Sequence, residues 1–532
     1  MIMRKVFGGR PLCALLALFW ALPWALGARP AQAETLAEAI AYAYEVNPGI
    51  NAQRAALRAL DESYVQARAG YGLTVGVTAG HTYERLDRDR AREQEATTNS
   101  AGITVTQPLY TGGRVRARTN AAEARILAGR EQLRQAEIDL LQRVVAAFIS
   151  VRRDEDILRI NRDTAAVLQQ QYDDTDAKFR VRQVTRTDLA QAEGRLANAR
   201  TAVINAQAAL QSSRARYLGV VGRPPATLEP PPQIDALPAD IDRALALAEE
   251  KSPQLLNALY AEDASRARIA EARAGRRPSI SARADLRHAP FLPYDQAIYD
   301  DTFTASIQLS QPLYTSGQIS SVIRQAIQEN NRDRLTVENV RLTLIQNVVD
   351  AWSQLESNRR ALETLRQEVA ANQTAFLGVR EEERFALRST LDILNASSEL
   401  QNAQANLLRA SAAEYIGRVQ LLAITGDLTP LIFAPATKLY DPARNFRDVR
   451  NLGMTPFEIP VRVIEILTAP GLDRRSPKRV LEVDVPPPVL IPMPPAPTPA
   501  PPPPSIADIL ETSRQQAIRD AHKNPISTPK PQ

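Results

Sequence analysis

Gln107-Pro108-Leu109-Tyr110-Thr111-Gly112-Gly113 and Gln311-Pro312-Leu313-Tyr314-Thr315-Ser316-Gly317 are one heptapeptide written twice, altered only where Ser316 replaces Gly112. The repetition extends outward at a spacing of about 204 residues. Upstream, Ala67-Arg68-Ala69-Gly70 pairs with Ala272-Arg273-Ala274-Gly275, and the run from Leu36 to Asn47-Pro48 pairs with the run from Ile241 to Ser252-Pro253. Downstream, Val144, Val145 and Phe148 pair with Val348, Val349 and Trp352, and Gly222 pairs with Gly426. Ordered matches at one spacing mean a duplicated unit. The expected division is a signal peptide 1–33, a first repeat 34–222, a proline-rich linker 223–239, a second repeat 240–426 and a C-terminal extension 427–532.

Before each heptapeptide the chain alternates with period 2, the mark of a strand with two unlike faces. Val75, Val77, Ala79, His81 and Tyr83 alternate with Thr74, Gly76, Thr78, Gly80 and Thr82; Ile103, Val105 and Leu109 alternate with Thr104 and Thr106. In the second copy Ile280, Ala282, Ala284 and Leu286 form one face, continued by Phe303, Ala305, Ile307, Leu309 and Leu313. Strands of about ten residues are long enough to cross a bilayer when tilted. The competing reading is an ordinary sheet with one wet face, but the remaining sequence offers no apolar layer to cover the other. Tyr83, Tyr110, Tyr299 and Tyr314 near strand ends suit interfacial girdles.

After each heptapeptide comes helix. From Arg114 to Arg180 there is no proline and Gly129 is the one glycine, giving about 100 Å of helix at 1.5 Å per residue. The second copy repeats this from Gln318 to about Arg384, with Ile345, Val348, Trp352, Leu355, Leu362, Leu365 and Val369 at coiled-coil spacing. The returning segments are strictly heptad: Leu189, Leu196, Val203, Leu210 and Tyr217 with Ala192, Ala199 and Ala206, then Ile393, Leu400, Leu407 and Leu421 with Ala396, Ala403 and Ala410. The expectation is four long helices per chain.

The N-terminus sets the compartment. Arg4, Lys5 and Arg10 precede an apolar run from Leu12 to Leu26, and Ala31-Gln32-Ala33 supplies a small-x-small cleavage pattern, so Glu34 is the expected first mature residue. The run is short for a membrane anchor. Cys13, the only cysteine, lies within this leader, which leaves no disulfide or thiol chemistry in the mature chain. The leader also carries most of the net charge of +5, so a basic partner surface for nucleic acid is not expected.

Four strands cannot close a barrel, and an open edge in lipid leaves backbone groups unsatisfied at several kcal/mol each. The chain must therefore associate. Two copies would give eight strands, about the smallest number that encloses packed side chains; three would give twelve around an open lumen lined by Thr, Ser and Gln, continuous with a tube of twelve helices. Such an object is a conduit. No catalytic group stands out: His81, His288 and His522 are scattered, and no phosphate-binding loop or nucleophile elbow is present. No enzyme activity, cofactor or metal is expected.

With these features the chain resembles the TolC-type outer-membrane efflux family over about Leu36 to Gly426. The resemblance rests on the duplicated Gln-Pro-Leu-Tyr, on Phe179 to Ala192 with its Thr185-Arg186-Thr187-Asp188 core, and on Arg388 to Ala396. It implies a mixed fold, a transmembrane β-barrel continuous with an α-helical coiled-coil tunnel. It further implies a homotrimer in the outer membrane, with the tunnel in the periplasm docking to a periplasmic adaptor (membrane fusion) protein and an inner-membrane pump. Thr187, Asp188, Arg388 and Asp392 map to the periplasmic tip gate, where Arg388 ties neighbouring subunits and Asp392 lines a carboxylate ring. Helix N-caps are the simpler role for Asp188 and Asp392. Pro108, Gly112, Gly113, Pro312 and Gly317 mark the swivel from barrel to tunnel, or a plain turn. Four departures stand out: Arg182 occupies the turn-glycine position, Phe385 that of a linking tyrosine, Asn395 that of a second constriction aspartate, and the second tip turn is two residues shorter.

Small-molecule efflux and type I protein secretion remain alternatives, since the pump sets the substrate. A periplasmic coiled-coil adaptor or scaffold would lack paired strands of membrane-spanning length. In the extension, segment 486–504 is dominated by proline and reads as a semi-rigid spacer, followed by a short helix near 506–523.

Overall fold

The computed structural model describes residues 33–86, 94–292, 295–385 and 387–468. The leader with Cys13, the spacer 486–504 and the helix expected near 506–523 lie outside the described residues.

Each repeat runs helix–helix–strand–strand–helix–helix. The first contains α1 (Leu36–Val46), α2 (Pro48–Arg68), β1 (Thr74–Leu86), β2 (Gln94–Tyr110), α3 (Arg114–Arg180) and α4 (Arg186–Val221). The second contains α5 (Ile241–Lys251), α6 (Pro253–Ala274), β3 (Ser279–Leu292), β4 (Asp295–Ser310), α7 (Gln318–Arg384) and α8 (Thr390–Ile424). Two further helices, α9 (Arg444–Val449) and α10 (Glu458–Thr468), follow the repeats.

The strands form one antiparallel sheet in the order β1-β2-β3-β4. Its register aligns the alternation across all four: Val77 faces Ile103, Ile103 faces Leu286, and Leu286 faces Phe303. One face is therefore continuously apolar, and no described residue covers it, with Val77 at 75% and Ile307 at 74% exposure. The opposite face carries Thr74, Thr78, Thr104, Arg283, Asp285, Gln308 and Ser310. Pro108 lies inside β2 at a bulge before Tyr110 rather than at the strand end; a bulge is where a missing N–H does least damage to a ladder. β4 stops at Ser310, so Pro312 and Leu313, expected at the end of a strand, lie in the loop beyond.

The helices correct a second expectation. Only α3 and α7 are long, at 67 residues each; α4 and α8 have 36 and 35. The missing length comes from α2 and α6. Asn47 caps α2 with its side-chain oxygen on the Gly49 N–H at 2.9 Å, and its amide donates to Val220 O at the end of α4, at 3.0 Å. Thus α4 meets the start of α2. In the second copy α8 ends at Gly426 (φ +77), where any Cβ would overlap the Lys251 carbonyl just before α6. Pro48 and Pro253 stand at the first helical position, where a missing N–H costs nothing. Each break is thus a restart, made by Asn-Pro or Ser-Pro.

The largest core lies where these ends meet. Leu36, Ile40 and Ala43 of α1 pack with Ile138, Leu141, Val144 and Phe148 of α3, and with Tyr217 and Val221 of α4. A fully buried Leu or Phe contributes about 1.5–3 kcal/mol. Gly129 lets α2 approach α3 closely: a Cβ there would sit 2.5 Å from Leu60 Cδ2 of α2 and displace that side chain.

Candidate functional site

Two regions hold the expected site residues: the turns between the long helices, and the joints between strands and helices.

At the first turn α3 ends at Arg180 and α4 begins at Arg186. Asp188 is not the N-cap. Thr185 is, in extended geometry (φ −84°, ψ 163°), and its Oγ1 accepts the Asp188 N–H at 3.2 Å. The Asp188 carboxylate returns the contact, accepting the Thr185 N–H at 2.9 Å and its hydroxyl at 2.8 Å. The second turn repeats this with Ser389 as cap and Asp392 three residues in, at 3.2, 3.0 and 2.8 Å. This is a capping box, and the physical reason for the correction is reach. A cap needs a short hydroxyl in extended backbone, while the carboxylate sits inside the first turn, at the positive helix end. The bonds from Thr185 and Ser389 hold both carboxylates below their ordinary pKa. Both contacts on Asp392 use Oδ2.

Arg388 donates through Nε to Glu382 Oε2 at 2.9 Å across its own turn, and the carboxylate raises its pKa. Within one chain it bonds neither Thr187 nor Asp188. Thr187 is exposed. Arg182, in the place of a turn glycine, holds φ +60°, the left-handed region that disfavours a Cβ. The two hairpins of one chain are joined near the tip by Lys178 to Glu383 at 2.8 Å, and further along by Arg195 to Asn395 at 3.0 Å.

The joints differ between copies. In the first, Gly112 (φ +68) and Gly113 (φ +84) turn the chain from β2 into α3, and a Cβ on Gly112 would lie 2.8 Å from Arg277 Cβ. This turn is buried under α10. The Glu465 carboxylate, fully buried, accepts the Thr111 N–H at 2.9 Å, the Thr111 hydroxyl, the Tyr71 phenol at 2.7 Å and the Gly113 N–H at 3.4 Å. Burial, reinforced by the Glu465 charge, pushes the Tyr71 phenol far up, so it stays a donor. Beside it Glu458 pairs with Arg68 at 3.2 Å, both buried, and Arg68 also donates to Leu452 O. Val461 packs on Tyr71 and Val115. In the second copy Ser316 (φ +51) and Gly317 (φ +84) make the same turn in the open, with Leu313 at 92% and Tyr314 at 86% exposure.

Glu465, Glu458, Tyr71 and Arg68 are not among the expected site residues, because the repeat pattern that marks the others ends at Gly426. A signal existed: Glu458, Val461 and Glu465 fall at i, i+3 and i+7, one helix face. Among the described residues no group of His, Cys, Asp and Glu is arranged to hold a metal ion, and no helix is long and apolar enough to cross a membrane.

A family model described as outer membrane efflux protein matches residues 39–223 and 244–427. The outer membrane efflux protein BepC of Brucella suis is 30% identical over 426 residues, covering 80% of this chain and 92% of that one. The alkaline protease secretion protein AprF of Pseudomonas aeruginosa is 26% identical over 360 residues, covering 65% and 72%. The crystal structure of the Campylobacter jejuni CmeC outer membrane channel aligns with a TM-score of 0.67 at 13% identity, covering 79% of this chain and 90% of that one.

Proposed function

The chain belongs to the outer membrane efflux protein family, and from that membership we propose that three copies close one twelve-strand barrel continuous with a twelve-limbed helical tunnel. The barrel crosses the outer membrane and the tunnel lies in the periplasm. There it receives substrate from an inner-membrane pump through a periplasmic adaptor and passes it outside. The observation that carries association is the sheet: β1 and β4 are both edges, its apolar face is bare among the described residues, and four strands are too few to close; the number three comes from the family. The limbs of each chain are α3, α7, α2 with α4, and α6 with α8. The test is the purified protein in detergent. A heat-labile trimer supports this reading, and a monomer that stays soluble without detergent ends it.

The tip turns are the proposed gate. Arg388 would exchange Glu382 for Thr187 or Asp188 of the next subunit, tying the hairpins shut. Three Asp392 carboxylates would ring the constriction, where they bind cations and disfavour anions. Within one chain the Ser389 bonds favour the ionised form of Asp392, which opposes the mutual repulsion that a ring of three would bring. Arg388→Ala should raise single-channel conductance in planar bilayers, and unchanged conductance removes it from the gate. Asp392→Ala should weaken block by multivalent cations; identical blocking constants count against the ring. The chain's work is passage rather than catalysis, and no cofactor enters it.

A second reading, type I protein secretion, is favoured by the similarity to AprF. Which pump co-purifies with the cross-linked channel separates the two.

A further inference from the structure

Helix α10 is built inside-out. Its inward side carries Glu458 at 1% and Glu465 at 0% exposure, with Val461 between them. Its outward side carries Ile459, Val463, Ile466 and Leu467, at 55%, 50%, 55% and 75%. A surface helix in water has the reverse arrangement, with apolar residues inward and charges outward. Such a helix is stable only if its outer side meets something apolar.

Its anchors say where it sits. Glu465 is bonded to Thr111, the residue after β2 ends, and to Tyr71, three residues before β1 begins. The helix is therefore at the foot of the sheet, level with the end of the bare apolar face. A conduit keeps its bore clear, which puts α9 and α10 on the outer wall. The same segment touches α3 through Phe446 over Arg130, 5.6 Å from the ring centre. On α3, Asp139 and Arg143 lie roughly half a turn round from Arg130, exposed, on the side left for the bore. Arg462 on α10 and Arg450 at the end of α9 are exposed cations, of the kind that suits an anionic lipid surface.

We propose that α10 is an interfacial helix whose outer side enters the periplasmic leaflet of the outer membrane, tying the first barrel joint to the phospholipid surface. The inference rests on the channel reading above and extends the lipid-facing sheet surface by one helix. Five exposed apolar residues, Ile459, Val463, Ile464, Ile466 and Leu467, with Arg462 among them, suit a lipid interface better than a narrow protein groove.

The test uses spin labels on the full protein in vesicles of phosphatidylethanolamine and phosphatidylglycerol. Cys13, the only cysteine, lies in the leader, so Val463→Cys or Leu467→Cys places one label. The expected result is access to oxygen several-fold greater than access to a water-soluble nickel chelate at both positions. Greater access to nickel overturns the proposal, because the helix then faces water. Protection from both reagents also overturns it, because the helix then faces protein, such as a neighbouring copy. Val77→Cys on the sheet is the control. An aqueous reading there breaks the barrel reading itself, whereas a lipid reading at Val77 with an aqueous one on α10 breaks only this inference.

Discussion

Thr111 and Thr315 hold the same place in the two repeats and have different surroundings. Thr111 is buried, bonded twice to Glu465 and flanked by Tyr71 and Val115. Thr315 sits in an open turn beside Tyr314 at 86% exposure. Where the first copy has Tyr71, donating to Glu465, the second has Arg276, donating to Ser320 at 3.0 Å. The backbone nonetheless follows one path, with left-handed residues at 112–113 and at 316–317. Duplication thus preserves the turn, while the segment after the repeats, which exists once, decides what covers it. One joint is clamped by α10, and the other has no such cover among the described residues.

The largest break in that asymmetry is Glu465→Ala. It leaves the buried Thr111 N–H and Tyr71 phenol without an acceptor and should cost about 3 kcal/mol. Limited proteolysis of the variant should cut within 441–468 first, with the repeats still protected. A cleavage pattern like that of the parent protein would mean that Glu465 does not hold the strap.

Next comes the turn itself. Gly112→Ala must place a Cβ 2.8 Å from Arg277 Cβ at φ +68°, and should destabilise the first joint by about 2 kcal/mol. Ser316→Gly does the opposite in the second, relieving φ +51° for a gain of about 1 kcal/mol. Opposite shifts in the thermal transition of the purified channel would support two unlike joints. Equal responses would dissolve the comparison.

Much of this was legible in the residues. Period-2 alternation gave both strand pairs and their bare face, because lipid enforces alternation along every strand. The family match supports the outer-membrane channel, and the structure adds how its limbs are built. Lengths were less legible. The heptads of Leu189 to Tyr217 mark a helix but not its length, and α4 ends at Val221. Asn47-Pro48 marks the repeat in the sequence, and only the structure shows it as the restart that supplies the rest of the limb. At the tip, the N-cap preference of Asp points to Asp188, whereas Thr185, in extended backbone three residues earlier, takes the role. The Glu465 cluster was hidden for a different reason: its partners lie more than 350 positions away, and no local pattern encodes a contact of that range.

The tips offer a smaller version of the comparison. Arg182 keeps a side chain at φ +60° in the first turn, whereas neither described non-glycine outlier falls in the second. Arg182→Gly should stabilise the first hairpin by about 1 kcal/mol. Slower hydrogen exchange at 181–185, with 387–389 unchanged, is the expected signature.

The smallest effect concerns acid. Asp188 and Asp392 both have depressed pKa values in the folded chain, so their capping contribution is complete above the ordinary value of 3.8 and is lost as pH falls through the depressed one. Amide protection at the starts of α4 and α8 should therefore hold from neutral pH down to about 4 and decline below it. The two turns should not decline together. Asp392 has a cause of depression that Asp188 lacks, the Arg388 guanidinium in its own turn. Removing it by Arg388→Ala should bring the acid fraying of α8 up to higher pH while leaving α4 where it was. Measured by exchange in detergent, that shift separates the electrostatic role of Arg388 within one turn from its proposed role between subunits. A tip that opens in bilayers with no change in α8 protection would assign Arg388 to the contact with its neighbour alone.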